Sequence, residues 1–91
     1  MATRKATVGS SVGLHARPAS LVAQAADETG LDIELYLEGE EDDAVDAASV
    51  LEIMTLGAKK GDVVVLSSDD EGAEEALEKL AALIESDLDA E

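Results

Sequence analysis

Leu31-Asp32-Ile33-Glu34-Leu35-Tyr36-Leu37-Glu38 alternates without a break. Leu31, Ile33, Leu35 and Leu37 fall on one side, and Asp32, Glu34, Tyr36 and Glu38 on the other. Successive side chains of a strand point to opposite faces, so this stretch predicts a strand with one face buried and one wet. An antiparallel sheet covered on one side only has that character.

Working outward, Thr3 to Val8 also alternates and is rich in β-branched residues, which predicts a first strand. Gly9, Ser10, Ser11 and Gly13 make the loop after it. A helix is expected from about Ala16 to Glu28, with Gly30 at its C-terminal cap. Beyond the central strand, Gly39 to Asp43 is an acidic turn, and Ala44 to Ala47 suits a short third strand. Ser49-Val50-Leu51-Glu52 matches a capping box at the start of a short helix that Gly57 ends. Lys59 to Asp62 is a turn, and Val63 to Leu66 is a buried fourth strand. Ser67 to Gly72 leads into a last helix, where Ala73, Ala76, Leu77, Leu80, Leu83 and Ile84 form one apolar stripe. The order βαββαβα predicts an α+β fold: a four-stranded antiparallel sheet with three helices on one face. Tyr36 and many carboxylates then belong to the open face.

The 91 residues make a single domain, 1–91, with an aliphatic core, since Phe and Trp are absent and Tyr36 is the only aromatic residue. The absence of cysteine excludes disulfides and thiolate metal sites. No apolar run approaches the ~20 residues of a membrane span, and the N-terminus lacks the apolar stretch of a signal peptide. The expected location is therefore cytoplasmic, without direct membrane insertion. A net charge of −16 argues against nucleic acid as a partner. It fits a salt-adapted surface, or else an acidic interaction or calcium-binding module. No segment has the spacing of an EF-hand loop.

The charge is unevenly spread. Residues 1–26 hold no Asp or Glu but carry Arg4, Lys5 and Arg17, half of the six cations. Such a gap in the acidic coat suits a surface that accepts an incoming anion. It equally suits a segment that is mostly strand and buried helix.

Within the gap lies Gly13-Leu14-His15-Ala16-Arg17-Pro18-Ala19-Ser20, with the only histidine and the only proline. Proline is favoured in the first turn of a helix, and apolar Leu21, Val22, Ala25 and Ala26 follow directly. His15 is thus expected at, or one residue before, a helix N-terminus. Unpaired backbone N–H groups there, including that of Ala16, and the positive end of the helix dipole hold anions. An imidazole is nucleophilic near neutral pH. Together with a guanidinium two residues on, it points to phosphoryl transfer through histidine. Taken singly, His15 would pass as a helix cap and Arg17 as a surface cation. Ser49 reads as a helix cap whatever else it does. Val50, Leu51 and Met54 are either core or a docking patch, and a short helix cannot bury all of them. At least one is expected to be exposed.

Gly13-Leu14-His15-Ala16-Arg17-Pro18-Ala19 resembles the active-site signature of HPr, the histidine-containing phosphocarrier of the phosphoenolpyruvate-dependent sugar phosphotransferase system. Ser49-Val50-Leu51-Glu52-Ile53-Met54-Thr55-Leu56-Gly57 is similar to that family's second signature. The resemblance covers the whole chain and implies an open-faced β-sandwich. It implies that His15 carries the phosphoryl group on Nδ1 and that Arg17 pairs with the phosphoryl oxygens. Enzyme I would be the donor and the A component of a sugar permease the acceptor, with no cofactor and no metal. The protein would be a relay rather than an independent enzyme, and a monomer, as relatives typically are. Ser49 matches a serine that a dedicated kinase phosphorylates in some bacteria. Ser20, Val50, Leu51 and Met54 are candidate partner-binding residues.

The turn at Gly39 to Asp43 departs from the family's common pattern in being longer and far more acidic. Gln24 and Asp27 stand where many relatives carry basic residues, and Glu52 where many have glycine or lysine. Two other readings compete with the relay. One is a regulatory protein of the same fold that signals through His15 or Ser49; the other is an acidic structural or calcium-buffering module.

Overall fold

The computed structural model describes residues 2–9 and 16–86. Strand β1 (Ala2–Thr7) leads to helix α1 (Ala16–Thr29), then strand β2 (Glu34–Leu37) and strand β3 (Val45–Asp46). Helix α2 (Val50–Thr55), strand β4 (Val63–Ser68) and helix α3 (Ala73–Glu85) complete the order βαββαβα. The strands form one antiparallel sheet in the order β1-β4-β2-β3. The expected fold class holds.

The alternation in the central strand carries over into burial. Ile33 and Leu35 are buried and Leu37 is half-buried, whereas Asp32, Glu34 and Glu38 are exposed. The strand itself is shorter than the pattern suggests, because Leu31 and Asp32 are spent on the turn out of α1. There the Leu31 N–H donates to Thr29 Oγ1 and the Asp32 N–H to Asp70 Oδ2, at 3.1 and 2.7 Å. Gly30, with φ of +70°, closes α1 in the left-handed conformation that favours glycine.

Strand β4 is longer than expected. It runs on through Ser67 and Ser68, which pair with Thr3 and Ala2 of β1 and are buried. As a central strand it is covered on both faces. Val64 and Leu66 point into the core, and Val65 on the open face is 5% exposed. Lys5 and Tyr36 are the register partners of Val65 on either side. Across β4, Lys5 Nζ reaches Glu38 Oε2 at 2.6 Å. The acidic turn is more ordered than a plain turn, since Glu41–Asp43 forms a 3-10 helical turn.

The core lies between the sheet and the helices. Ala6, Val8, Ile33, Leu35, Val64 and Leu66 face Val22 and Ala26 of α1, Ile53 of α2, and Leu77, Leu80 and Ile84 of α3 in one cluster. Helix α3 packs on β1 and β4, while α1 packs on α2 and α3. The apolar stripe expected in α3 is buried at Ala73, Leu77, Leu80 and Ile84, with Ala76 and Leu83 at its edges. Among the described residues five glycines adopt positive φ, including Gly57 beyond α2 and Gly61 in the turn before β4.

Candidate functional site

Helix α1 begins at Ala16, the residue that follows the chain's only histidine. Gly13, Leu14 and His15 themselves lie outside the described residues. The first turn is oriented by what it buries. Pro18 and Ala19 are sealed into the core, and the apolar face continues through Val22, Ala23 and Ala26 at helical spacing. Arg17 and Ser20 consequently face solvent. Proline suits this turn because the first N–H groups of a helix have no intrahelical acceptor.

Helix α2 packs against α1, so the two segments singled out in the sequence belong to one helical layer. Ile53 anchors α2 in the core. Val50 and Met54 are partly buried against it, while Leu51 is 77% exposed. Of the three apolar residues expected to be core or docking patch, two serve mainly as core margin and one stands out to solvent.

The cap of α2 differs from the expected box. Ser49 Oγ accepts the Glu52 N–H at 3.3 Å, as a serine cap does. Glu52 Oε1 does not return to the Ser49 N–H. It accepts the N–H of Asp46 at 3.2 Å, while the Ser49 N–H donates to the Asp46 carbonyl at 3.0 Å. Asp46 Oδ1 in turn accepts the Ala48 N–H at 2.9 Å. The reason is competition: the turn carbonyl already satisfies the Ser49 amide, which leaves the carboxylate to the next donor along. Asp46 was not singled out in the sequence, and the Asp-x-x-Ser spacing before the helix is the signal that points to it.

Lys5 is held in its charged form above the usual lysine range, first by its hydrogen bond to Glu38 and then by the attraction of that carboxylate. Among the described residues, no group of three or more His, Asp or Glu side chains is arranged to hold a metal ion. No helix among them is long and apolar enough to cross a membrane.

The family model described as "PTS HPr component phosphorylation site" matches residues 2–86. The phosphocarrier protein HPr of Streptomyces coelicolor is 46% identical over 89 residues, 98% of this chain and 94% of that protein. The HPr-like protein Crh of Bacillus subtilis is 36% identical over 88 residues, 97% of this chain and 100% of that one. The crystal structure of HPr from Thermoanaerobacter tengcongensis superposes with a TM-score of 0.84 at 36% identity, covering 100% of this chain and 99% of that one. On the sheet order, the two signature segments in one helical layer and these similarities, the chain belongs to the HPr phosphocarrier family.

Proposed function

We propose that this chain is a phosphocarrier that accepts a phosphoryl group on His15 from phosphorylated enzyme I and passes it to the A component of a sugar permease. One observation carries the reading: a family match named for its phosphorylation site spans residues 2–86, and so includes His15. In the forward step the lone pair of neutral Nδ1 attacks phosphorus. The N–P bond forms as the donor's bond to phosphorus breaks, and that electron pair stays on the donor. Transfer to the acceptor repeats the step with His15 as the leaving group.

The residues after His15 suit that step. The N–H of Ala16 belongs to the first turn of α1, where amides have no acceptor within the helix. The positive end of the helix favours a phosphoryl dianion by roughly 0.3–1 kcal/mol per charge and disfavours imidazolium, so the ring stays neutral and nucleophilic. The exposed guanidinium of Arg17 adds charge-assisted hydrogen bonds. Moderate stabilisation is what a carrier needs, because it must also release its cargo. The working protein is a cytoplasmic monomer with a surface suited to high salt.

A regulatory role is the second reading, favoured by the end-to-end similarity to Crh and by the position of Ser49 at the cap of α2. Incubation with phosphoenolpyruvate and cognate enzyme I tests the first reading. The protein should acquire an acid-labile phosphate that His15→Ala abolishes; a label that persisted in that variant would overturn the assignment. A label that no permease A component can remove would instead favour the regulator.

A further inference from the structure

Strand β4 ends in two buried serines that differ in what holds them. Ser68 is 3% exposed, and its Oγ accepts the Asp70 N–H at 3.2 Å. Ser67 is 7% exposed, yet no described residue gives its hydroxyl a hydrogen bond. Among the described residues, every side-chain polar atom sealed from solvent has a partner, so the Ser67 hydroxyl keeps an opening. That opening is a pocket of about 60 Å³ lined by Ser67, Ser68, Asp32, Glu34, Asp69 and Asp70. Room of that size takes a small ion with a few waters.

The register sets this pocket on the open face of the sheet. Val64 and Leu66 point into the core, so Ser67, one residue on, points the other way. Glu34 is its direct partner on β2, and Asp46 is the partner of Glu34 on β3. Like charges opposite one another destabilise a sheet. Among the described residues, Lys5 and Lys79 pair with Glu38 and Glu75, and no lysine or arginine pairs with Asp32, Glu34, Asp69 or Asp70. Asp70 is fixed in place, since its Oδ2 accepts the Asp32 N–H at 2.7 Å. Carboxylates alone would be a solvated coat. A buried hydroxyl among them, with lone pairs that no protein donor uses, is satisfied only by water or an ion.

We propose that this pocket holds one partly hydrated alkali cation, with the Ser67 hydroxyl as a direct ligand. The four carboxylates that line it supply the charge that favours an ion over a water molecule. No three of them are arranged to hold a metal ion between them, as a protein cage for calcium does, so the cation keeps part of its water. The proposal stands apart from the phosphocarrier reading. An ion so placed is the missing counter-charge at the end of β4 and the start of β2, where Ser67 and Glu34 face each other.

The test uses the purified full chain and sodium chloride as the probe. Tetramethylammonium chloride, whose cation is too large for the pocket, holds the ionic strength constant. The relaxation rate of the sodium NMR signal should show a saturable component that potassium displaces; a diffuse counterion cloud gives none. Ser67→Ala removes the direct ligand and no hydrogen bond to a described residue, so it should fold while shifting the titration midpoint several-fold upward. Asp69→Asn should shift it in the same direction. A thermal melt in the same salts is the second readout. The wild type should melt higher in sodium than in tetramethylammonium, by a margin that shrinks in both variants. A titration without saturation, or one that Ser67→Ala leaves unchanged, would put water in the pocket and overturn the site. Saturation by calcium but not by sodium would overturn the choice of ion.

Discussion

The α-carbon of Gly9 rests against the backbone carbonyl of Glu85, so closely that a β-carbon at position 9 would overlap the carbonyl oxygen. Beside it, the Gly9 N–H donates to the Ile84 carbonyl at 3.0 Å, giving one of the last carbonyls of α3 a partner. The end of β1 is thereby pinned to the end of α3. The Val8 N–H to the Asp62 carbonyl, and the Gly61 N–H to the Val8 carbonyl, hold the other side at 2.9 Å each. Gly9→Ala should therefore force backbone to move, at a cost of about 1–3 kcal/mol. Urea unfolding should show a lower midpoint at an unchanged slope. A midpoint equal to the wild type would mean that the contact relaxes freely.

Ser49→Ala removes the acceptor of the Glu52 N–H and should cost about 1 kcal/mol, the usual worth of a serine cap. Glu52→Ala removes the acceptor of the Asp46 N–H, an exposed bond, and should cost less. Paired denaturation curves rank the two. If Glu52→Ala were the more damaging, the carboxylate rather than the serine would be the cap that holds α2.

Lys5 titrates above the ordinary lysine range because Glu38 accepts its hydrogen bond and attracts its charge. A raised folded-state pKa contributes stability that is fully present below the unfolded value and lost as pH rises through the folded one. On the lysine side, the contribution of the Lys5–Glu38 pair should thus be lost as pH rises into alkali. In an NMR titration, Glu38→Gln should lower the pKa of Lys5; no movement would assign the shift to another neighbour. The pair is exposed, so its effect on stability at neutral pH should be small and weaker still in salt.

Arg17→Gln should slow phosphoryl transfer to His15 while leaving the melting temperature close to that of the wild type. The side chain faces solvent, whereas Pro18 and Ala19 beside it carry the packing. Loss of a hydrogen bond to a charged group is worth about 1.5–3 kcal/mol, or roughly one to two powers of ten in rate. Quenched-flow labelling with enzyme I measures it, and an unaltered rate would remove Arg17 from the site.

A net charge of −16 on one small domain should make stability rise with ionic strength. Thermal melts from millimolar to molar salt should climb. A flat series, in chloride and without excluded salts such as sulfate, would show that the acids are spaced widely enough not to repel one another.

The sequence alone determined the architecture, because burial on one side writes itself into periodicity. Ile33 and Leu35 go inward while Glu34 faces water, and the spacing in α3 buries Leu77, Leu80 and Ile84. It also determined the family through two signature segments, and it located the cap at Ser49, since a cap is a contact between near neighbours. Tertiary structure decided what depends on distant partners. Whether β4 ends at Leu66 or runs on to Ser68 turned on pairing with β1, far off in sequence. Whether Val65 is wet turned on the strands flanking it. Glu52 bonds Asp46 rather than Ser49 because the turn from β3 had already claimed the nearer amide. The close approach of Gly9 to Glu85 has no periodic trace in the chain, because it forms only where segments remote in sequence are brought side by side.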